Sequence, residues 1–190
     1  MKIFLLKTVI SFIIIYYFCN NLYASDKAIV IKGDGHMVEN ISQNEKITVF
    51  NAEKRSEEVV SKVYKTNEQW EKELDDEIFH ITREKGTEHP FSGEYNANKE
   101  KGLYTCICCG NHLFHSDTKY DSGTGWPSFY APVDKQNIMT KQDTSFFMRR
   151  TKVLCARCDA HLGHIFDDGP PPTNKRYCIN SRTLDFIPQK

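Results

Sequence analysis

Two Cys-x-x-Cys pairs constrain this 190-residue chain more tightly than anything else in it: Cys106-Ile-Cys-Cys109 and Cys155-Ala-Arg-Cys158, with the 45 residues 110–154 between them. Such a pair is a tight turn that aims two sulfurs at one point, and two of them complete the tetrahedron preferred by zinc. The gap is longer than in the smallest zinc ribbons and suits two hairpins of a larger sheet. With Cys106, Cys109, Cys155 and Cys158 all supplying sulfur, no coordination position is left for water. The pattern therefore predicts one structural Zn2+ per chain. Two other uses stay open. A redox pair of the thioredoxin kind belongs at a strand-to-helix junction of a βαβ unit, a context not visible here, and structural disulfides need an oxidising compartment. Cys108, inside the first pair, is open as an inert small side chain, an alternative ligand or a free thiol.

The first residues bear on which compartment applies. "MKIFLLKTVISFIIIYYFCNNLYAS" begins with Lys2, runs through an apolar stretch broken by Lys7, and ends in Leu-Tyr-Ala before Ser25. That order is expected of a secretory signal peptide over residues 1–24, cleaved after Ala24. The apolar run from Val9 to Cys19 falls short of the roughly 20 residues that span a bilayer, which argues against a stable membrane anchor. A periplasmic or secreted protein is expected, with six cysteines left once Cys19 is removed. Without Lys2 and Lys7, the 25 basic residues become 23 against 25 acidic ones, a net charge of −2. Nucleic-acid binding rests mainly on phosphate neutralisation, so no nucleic acid is expected as a partner. The local cluster Arg149, Arg150, Lys152 and Arg157 reads as a solvated face.

Residues 25–65 read as an N-terminal extension. Its first part is polar, with His36 a solvated residue, and "KITVFNAEKRSEEVVSKVY" predicts a hairpin of two β-branched runs around a polar turn. From Thr66 the period changes. Thr66 and Gln69 have capping-box spacing. Trp70, Leu74, Ile78 and Ile81 recur at helical intervals, the Asp75-Asp76 pair is a point of division into two short helices, and Gly86 is a stop. Trp70 reads as a core anchor. Beyond Gly86, "GLYTCICC", "SFFMRRTKVLC" and "RYCINSRTLDFI" read as strands between Gly/Pro-rich loops. The expected fold is mainly β and antiparallel, with short helices at the start of a domain spanning residues 66–190. With no broad apolar stripe, a monomer is expected.

Cys178 stands apart from both pairs. Arg176 and Asn180 flank it at alternate positions, so on a strand the three side chains share a face. A neighbouring cation lowers a thiol pKa, and the amide adds a hydrogen-bond donor. His161 and His164 bracket a short segment of "AHLGHIFDDGPPPT". Paired histidines are often metal ligands, but beside a cysteine two imidazoles also suit proton donation near neutral pH. Trp126 and Phe129, on the Gly/Pro-rich "DSGTGWPSFY", are either ordinary packing or the walls of a small apolar pocket. These residues describe a cysteine enzyme acting on a small polar, uncharged group joined to an apolar one.

"REKGTEHPFSGEY", "CICC", "YDSGTGWPSFY", "CARCDAHLGHIFDDGPPPT" and "RYCINS", in this order, resemble the B-type methionine-R-sulfoxide reductases over about residues 66–187. The resemblance implies two antiparallel sheets of the β-tent type, with the four-cysteine zinc site pinning two loops away from the active site. It also implies that Cys178 is the nucleophile that attacks the sulfoxide sulfur and becomes a sulfenic acid. His161, His164, Arg176 and Asn180 match the polar pocket for the sulfoxide oxygen, and Trp126 matches the residue packed on the methionine methyl group. The implied partners are oxidised methionine in peptides or proteins and a thioredoxin-like or other thiol reductant.

One departure stands out. Many relatives carry a resolving cysteine where this chain has Thr124. Cys108 is the remaining candidate for a resolving thiol, although the family places its knuckle far from the active site, so direct recycling by an external thiol is favoured. Three rivals stand against the enzyme: an exported zinc-ribbon binding module without catalysis, an exported thiol–disulfide oxidoreductase, and a surface protein in which Cys178 is merely buried.

Overall fold

A computed structural model describes residues 45–143 and 150–189, and every structural statement below concerns these. The expected leader, most of the polar stretch after it, and the first residues of "SFFMRRTKVLC" lie outside them. Among the described residues no helix is long and apolar enough to cross a membrane.

The chain opens with an antiparallel hairpin, β1 (Lys46–Asn51) and β2 (Ser56–Ser61), in the register Lys46↔Ser61 to Asn51↔Ser56. Its turn is organised by Asn51, whose side-chain oxygen accepts from the backbone N–H of Glu53 and Lys54. The buried Asn137 fastens the hairpin to the rest of the domain. That side-chain amide accepts from Phe50 N at 2.7 Å and donates to Phe50 O at 2.8 Å and His112 O at 2.7 Å.

Thr66 caps α1 (Asn67–Glu73) with the full reciprocal box: its hydroxyl accepts from Gln69 N, and the Gln69 side chain accepts from Thr66 N. Asp75 caps α2 (Asp76–Glu84) by accepting from Ile78 N at 2.8 Å. The acidic pair does divide the helical stretch, because Asp75 serves better as an N-cap than as an interior residue. Trp70 is buried between the Arg83 guanidinium, 3.9 Å from the ring centre, and the Lys65 ammonium at 4.5 Å.

Nine further strands form two antiparallel sheets. The smaller contains β3 (Gly102–Cys106), β4 (His112–His115) and β11 (Leu184–Pro188), in the order β11-β3-β4. The larger contains β5 (Lys119–Tyr120), β6 (Ser128–Phe129), β7 (Ile138–Asp143), β8 (Arg150–Cys155), β9 (His161–Phe166) and β10 (Arg176–Ile179). Their order is β5-β6-β10-β9-β8-β7. Between the sheets lies an aromatic core. Phe129 stacks on Phe114 at 4.4 Å, and Tyr104 meets Phe129 edge-on at 5.1 Å. Such pairs add about 0.5–1.5 kcal/mol each beyond simple burial.

The stretch "RYCINSRTLDFI" is not one strand. It supplies β10 to one sheet and β11 to the other, joined by a single 3-10 turn at Ser181–Thr183. The bend is held by the buried Glu88, whose carboxylate accepts from Ser181 N at 2.7 Å and Arg182 N at 2.9 Å.

Candidate active site

Strand pairing decides what surrounds Cys178. Its register partners are Ser128 on β6 and His164 on β9, and His164 in turn faces Lys152 on β8. Residues paired directly across an antiparallel sheet share a face, so these four side chains lie on the side opposite the aromatic core. Their chain neighbours Tyr177, Phe129, Ile165 and Val153 take the core side. Phe129, expected as a wall of the pocket, is therefore a core residue with no exposed surface. Strand parity turns it inward, and the second aromatic wall is Phe166.

A regular strand would put His161 and His164, three residues apart, on opposite faces. The register between β8 and β9 shifts by one residue, so that Val153 pairs with Gly163 and Leu154 with His161. This bulge returns His161 to the face of His164, and the two rings meet edge-on at 5.3 Å. Gly163 is required here: a Cβ on it would come within 2.0 Å of the Cys178 carbonyl oxygen.

A cavity of about 160 Å3 opens over Cys178, walled by Trp126 and Phe166, with His164, Asn180 and Arg150 as its polar lining. Thr87 and Gly163 complete it. A larger cleft of about 560 Å3 beside Phe91, Asn98 and Lys101 is lined by no cysteine. The Trp126 indole donates to Glu88 O at 3.2 Å, and the Asn180 side chain accepts from Glu88 N and donates to Leu162 O. Glu88 thus anchors both an aromatic wall and the amide. Sequence reasoning misses it, since one acidic residue in "GTEHPF" carries no signal that separates it from a solvated one. It misses Asp143 and Arg150 as well: they join the site only across three strands.

Arg176 does not act on the thiol as a free cation. Its guanidinium forms a two-pronged pair with Asp168, both contacts 2.8 Å, and lies over the Phe166 ring at 4.3 Å. With that charge compensated, burial dominates and pushes the Cys178 thiol above its ordinary value; the Thr124 hydroxyl and then Arg176 pull the other way. The expected lowering of the thiol pKa is thus reversed. Burial also lowers His161, to about 4, and lowers His164 against the opposing hydrogen bond to Asp143.

The four cysteines of the two pairs converge where the turn after β3 of the smaller sheet meets the turn after β8 of the larger one. Cys106 Sγ lies 3.7 Å from Cys158 Sγ, Cys109 Sγ lies 3.6 Å from Cys155 Sγ, and all four fall within 4.8 Å of one another. A tetrahedral Zn2+ with Zn–S near 2.3 Å requires sulfurs about 3.8 Å apart, so the donor set fits a metal ion. The six cysteines of the described residues are unbridged. Matching backbone turns carry the two pairs: Cys109 and Gly110 donate to Cys106 O, and Asp159 donates to Cys155 O. Arg83 and Arg157 clamp the turns by donating to Cys158 O at 2.7 Å and Cys109 O at 3.0 Å. Of the basic cluster, Arg149 lies outside the described residues, and the other three are engaged rather than solvated: Arg157 holds a knuckle, and Arg150 and Lys152 pair with Asp143. Cys108 neighbours Cys106, Cys158 and Arg83, none of which borders Cys178.

Residues 74–188 match the SelR domain family. The chain is 57% identical over 127 residues to a peptide methionine sulfoxide reductase MsrB of Hahella chejuensis, covering 67% of this chain and 91% of that one. It is 58% identical over 124 residues to one of Methanosarcina barkeri, covering 65% and 87%. It is 55% identical over 131 residues to one of Pseudomonas savastanoi pv. phaseolicola, covering 69% and 100%. The chain belongs to the SelR (MsrB) family. The family match begins at Leu74, so the hairpin and α1 precede it. Within this SelR domain, Thr124 is in contact with the nucleophile candidate: its Oγ1 lies 3.9 Å from Cys178 Sγ.

Proposed function

We propose that the protein reduces methionine-R-sulfoxide in peptides or proteins to methionine, with Cys178 as the nucleophile. The observation that carries this is the small cavity over Cys178, half aromatic and half hydrogen-bonding, in a chain of the SelR family. A methyl sulfoxide is just such a group, with an apolar methyl for Trp126 and Phe166 and a basic oxygen for His164 and Asn180.

The sulfur of Cys178 attacks the sulfoxide sulfur while the oxygen gains a proton. The sulfoxide S–O bond then breaks, the hydroxyl passes to the Cys178 sulfur as the transient S–S bond cleaves, methionine leaves with two more electrons on its sulfur, and Cys178 is a sulfenic acid. The proton lost by the thiol equals the one gained by the oxygen, so no net proton is consumed. His164, the cross-strand neighbour of Cys178, is suited to carry it, because a lowered pKa keeps the imidazole neutral and open to the thiol proton and makes the imidazolium a strong donor afterwards. His161, almost wholly buried, backs the His164 ring. An external thiol, thioredoxin-like or small, then condenses with the sulfenic acid and releases water, and a second thiol frees Cys178. Cys108 is set aside as the resolver, since it sits in the knuckle and the turn bearing Cys155 lies roughly 10 Å along β9 from His164.

Cys106, Cys109, Cys155 and Cys158 are proposed to hold one Zn2+. When bound, it ties the two turns together and takes no part in the reaction. Residues 1–24 are proposed to direct export; fractionation of tagged full-length chain tests this, and retention in the cytoplasm would refute it.

The central experiment is turnover of each epimer of an N-capped methionine sulfoxide with dithiothreitol, by the protein and by Cys178→Ser. Reduction of the R epimer alone, lost in the variant, is the expected result. No turnover of either epimer by folded, metal-loaded protein would overturn the assignment.

A further inference from the structure

His164 has a partner to which the reaction above assigns no part. Asp143 is the last residue of β7, with 4% of its surface exposed, on the same face of the sheet as Cys178. One carboxylate oxygen lies 3.2 Å from His164 Nε2 and 3.4 Å from an Arg150 amino group, and the other lies 3.1 Å from Lys152 Nζ. Burying a carboxylate is costly unless it is paired, and Arg150 and Lys152 already supply that pairing. The third contact goes to the imidazole next to the nucleophile.

Resting on the reductase reading above, we propose that Asp143 is the positioning residue for the proton carrier: it accepts the Nε2–H of His164, leaves Nδ1 as the ring nitrogen for the pocket, and stabilises the imidazolium formed when the thiol proton moves. The row Asp143–His164–Cys178 crosses β7, β9 and β10 and has the order of an orienting acid, a base and a nucleophile. Among the described residues, the charged and titratable groups facing His164 are Asp143 from β7, Arg150 and Lys152 from β8, His161 from its own strand, and Cys178 from β10. The two cations oppose the imidazolium, and the Asp143 carboxylate favours it. Removing that negative charge tips the balance at the ring towards the cations.

The test is a nitrogen-detected NMR titration of the His164 ring, assigned with His164→Gln, in the metal-loaded full chain and in Asp143→Asn. The expected result is Nε2–H as the sole neutral tautomer in the parent protein. In the variant we expect a tautomer mixture and a midpoint lower by about one pH unit or more. Turnover of R-sulfoxide should fall about tenfold or more in kcat with little change in KM, and Asp143→Glu should restore part of it. An unchanged tautomer and midpoint in folded Asp143→Asn would overturn the proposal. If that variant does not fold, Lys152→Met decides: removal of one opposing cation should raise the midpoint, and no rise sinks the idea. The NMR result stands whether or not the parent protein reduces sulfoxides, so failure here and failure of the reductase reading remain separable.

Discussion

The hydroxyl oxygen of Thr124 lies 3.9 Å from the sulfur of Cys178, at the end of a chain of hydroxyls. Ser128, the register partner of Cys178, meets Ser122 at 2.7 Å, and Ser122 meets Thr124 at 2.8 Å. Burial raises the Cys178 pKa, and the hydrogen bond to Thr124 is the largest single interaction that lowers it, with Arg176 acting in the same direction. A thiolate can only accept, so ionisation turns this contact into a donated O–H and favours the charged form.

Thr124→Val, which keeps the shape and removes the hydroxyl, should raise the thiol pKa and slow alkylation of Cys178 near neutral pH. A hydrogen bond of about 1 kcal/mol corresponds to roughly fivefold. Thr124→Ser should stay near the parent rate. The pH dependence of iodoacetamide labelling, read by mass spectrometry at Cys178, measures both; equal rates for the valine and serine variants would remove the hydroxyl from the account.

Trp126 and Phe129 sit three residues apart and should respond oppositely to truncation. Phe129→Ala deletes a ring packed between Phe114 and Tyr104, which should cost about 3–5 kcal/mol of stability. Trp126→Ala opens a wall of the cavity instead and should raise KM for the sulfoxide with a smaller loss of stability. Urea denaturation and steady-state kinetics on the same pair of variants separate the two roles.

That pair also marks where the sequence stops being legible. The capping box at Thr66 and Gln69, the Asp75 cap and the two cysteine turns are local, each fixed within a few residues, and reading along the chain finds them. Alternation correctly puts Cys178 on one face with Asn180. Which face Phe129 takes depends on the pairing of β6 with β10, and whether His161 joins His164 depends on a bulge opposite Leu154. Neither is written in the neighbouring residues. Asp143 lies 35 residues before Cys178, and Glu88 lies 90 before it. Both enter through long-range contacts, and the compensation of Arg176 by Asp168 needed side-chain geometry before its effect on the thiol could be weighed.

Loss of the metal should act on stability before chemistry. Cys109→Ser, or a strong chelator with mild denaturant, should release about one zinc per chain and lower Tm by roughly 10 °C or more, since binding energy at a structural site is folding energy. Cys108→Ser should keep the metal and the Tm. Colorimetric zinc release alongside thermal denaturation distinguishes the two serine variants, and retention of zinc by Cys109→Ser would show that this sulfur is not a ligand.

His161 provides a pH signature of the fold. Only 1% of it is exposed, and burial first, then the neighbouring His164, depresses its pKa to about 4. The unfolded chain binds the proton near pH 6.5. A depressed histidine contributes stability that is fully present above the unfolded value and is lost as pH falls from about 6.5 towards 4. The span corresponds to about 3 kcal/mol. His161→Phe keeps a ring against His164 and removes the titration, so between about pH 7 and 4.5 it should lose about 2–3 kcal/mol less than the parent does. Acid release of metal from the four thiolates is common to both proteins and cancels in the comparison. Parallel losses in urea unfolding at the two pH values would mean that His161 protonates without opening the fold.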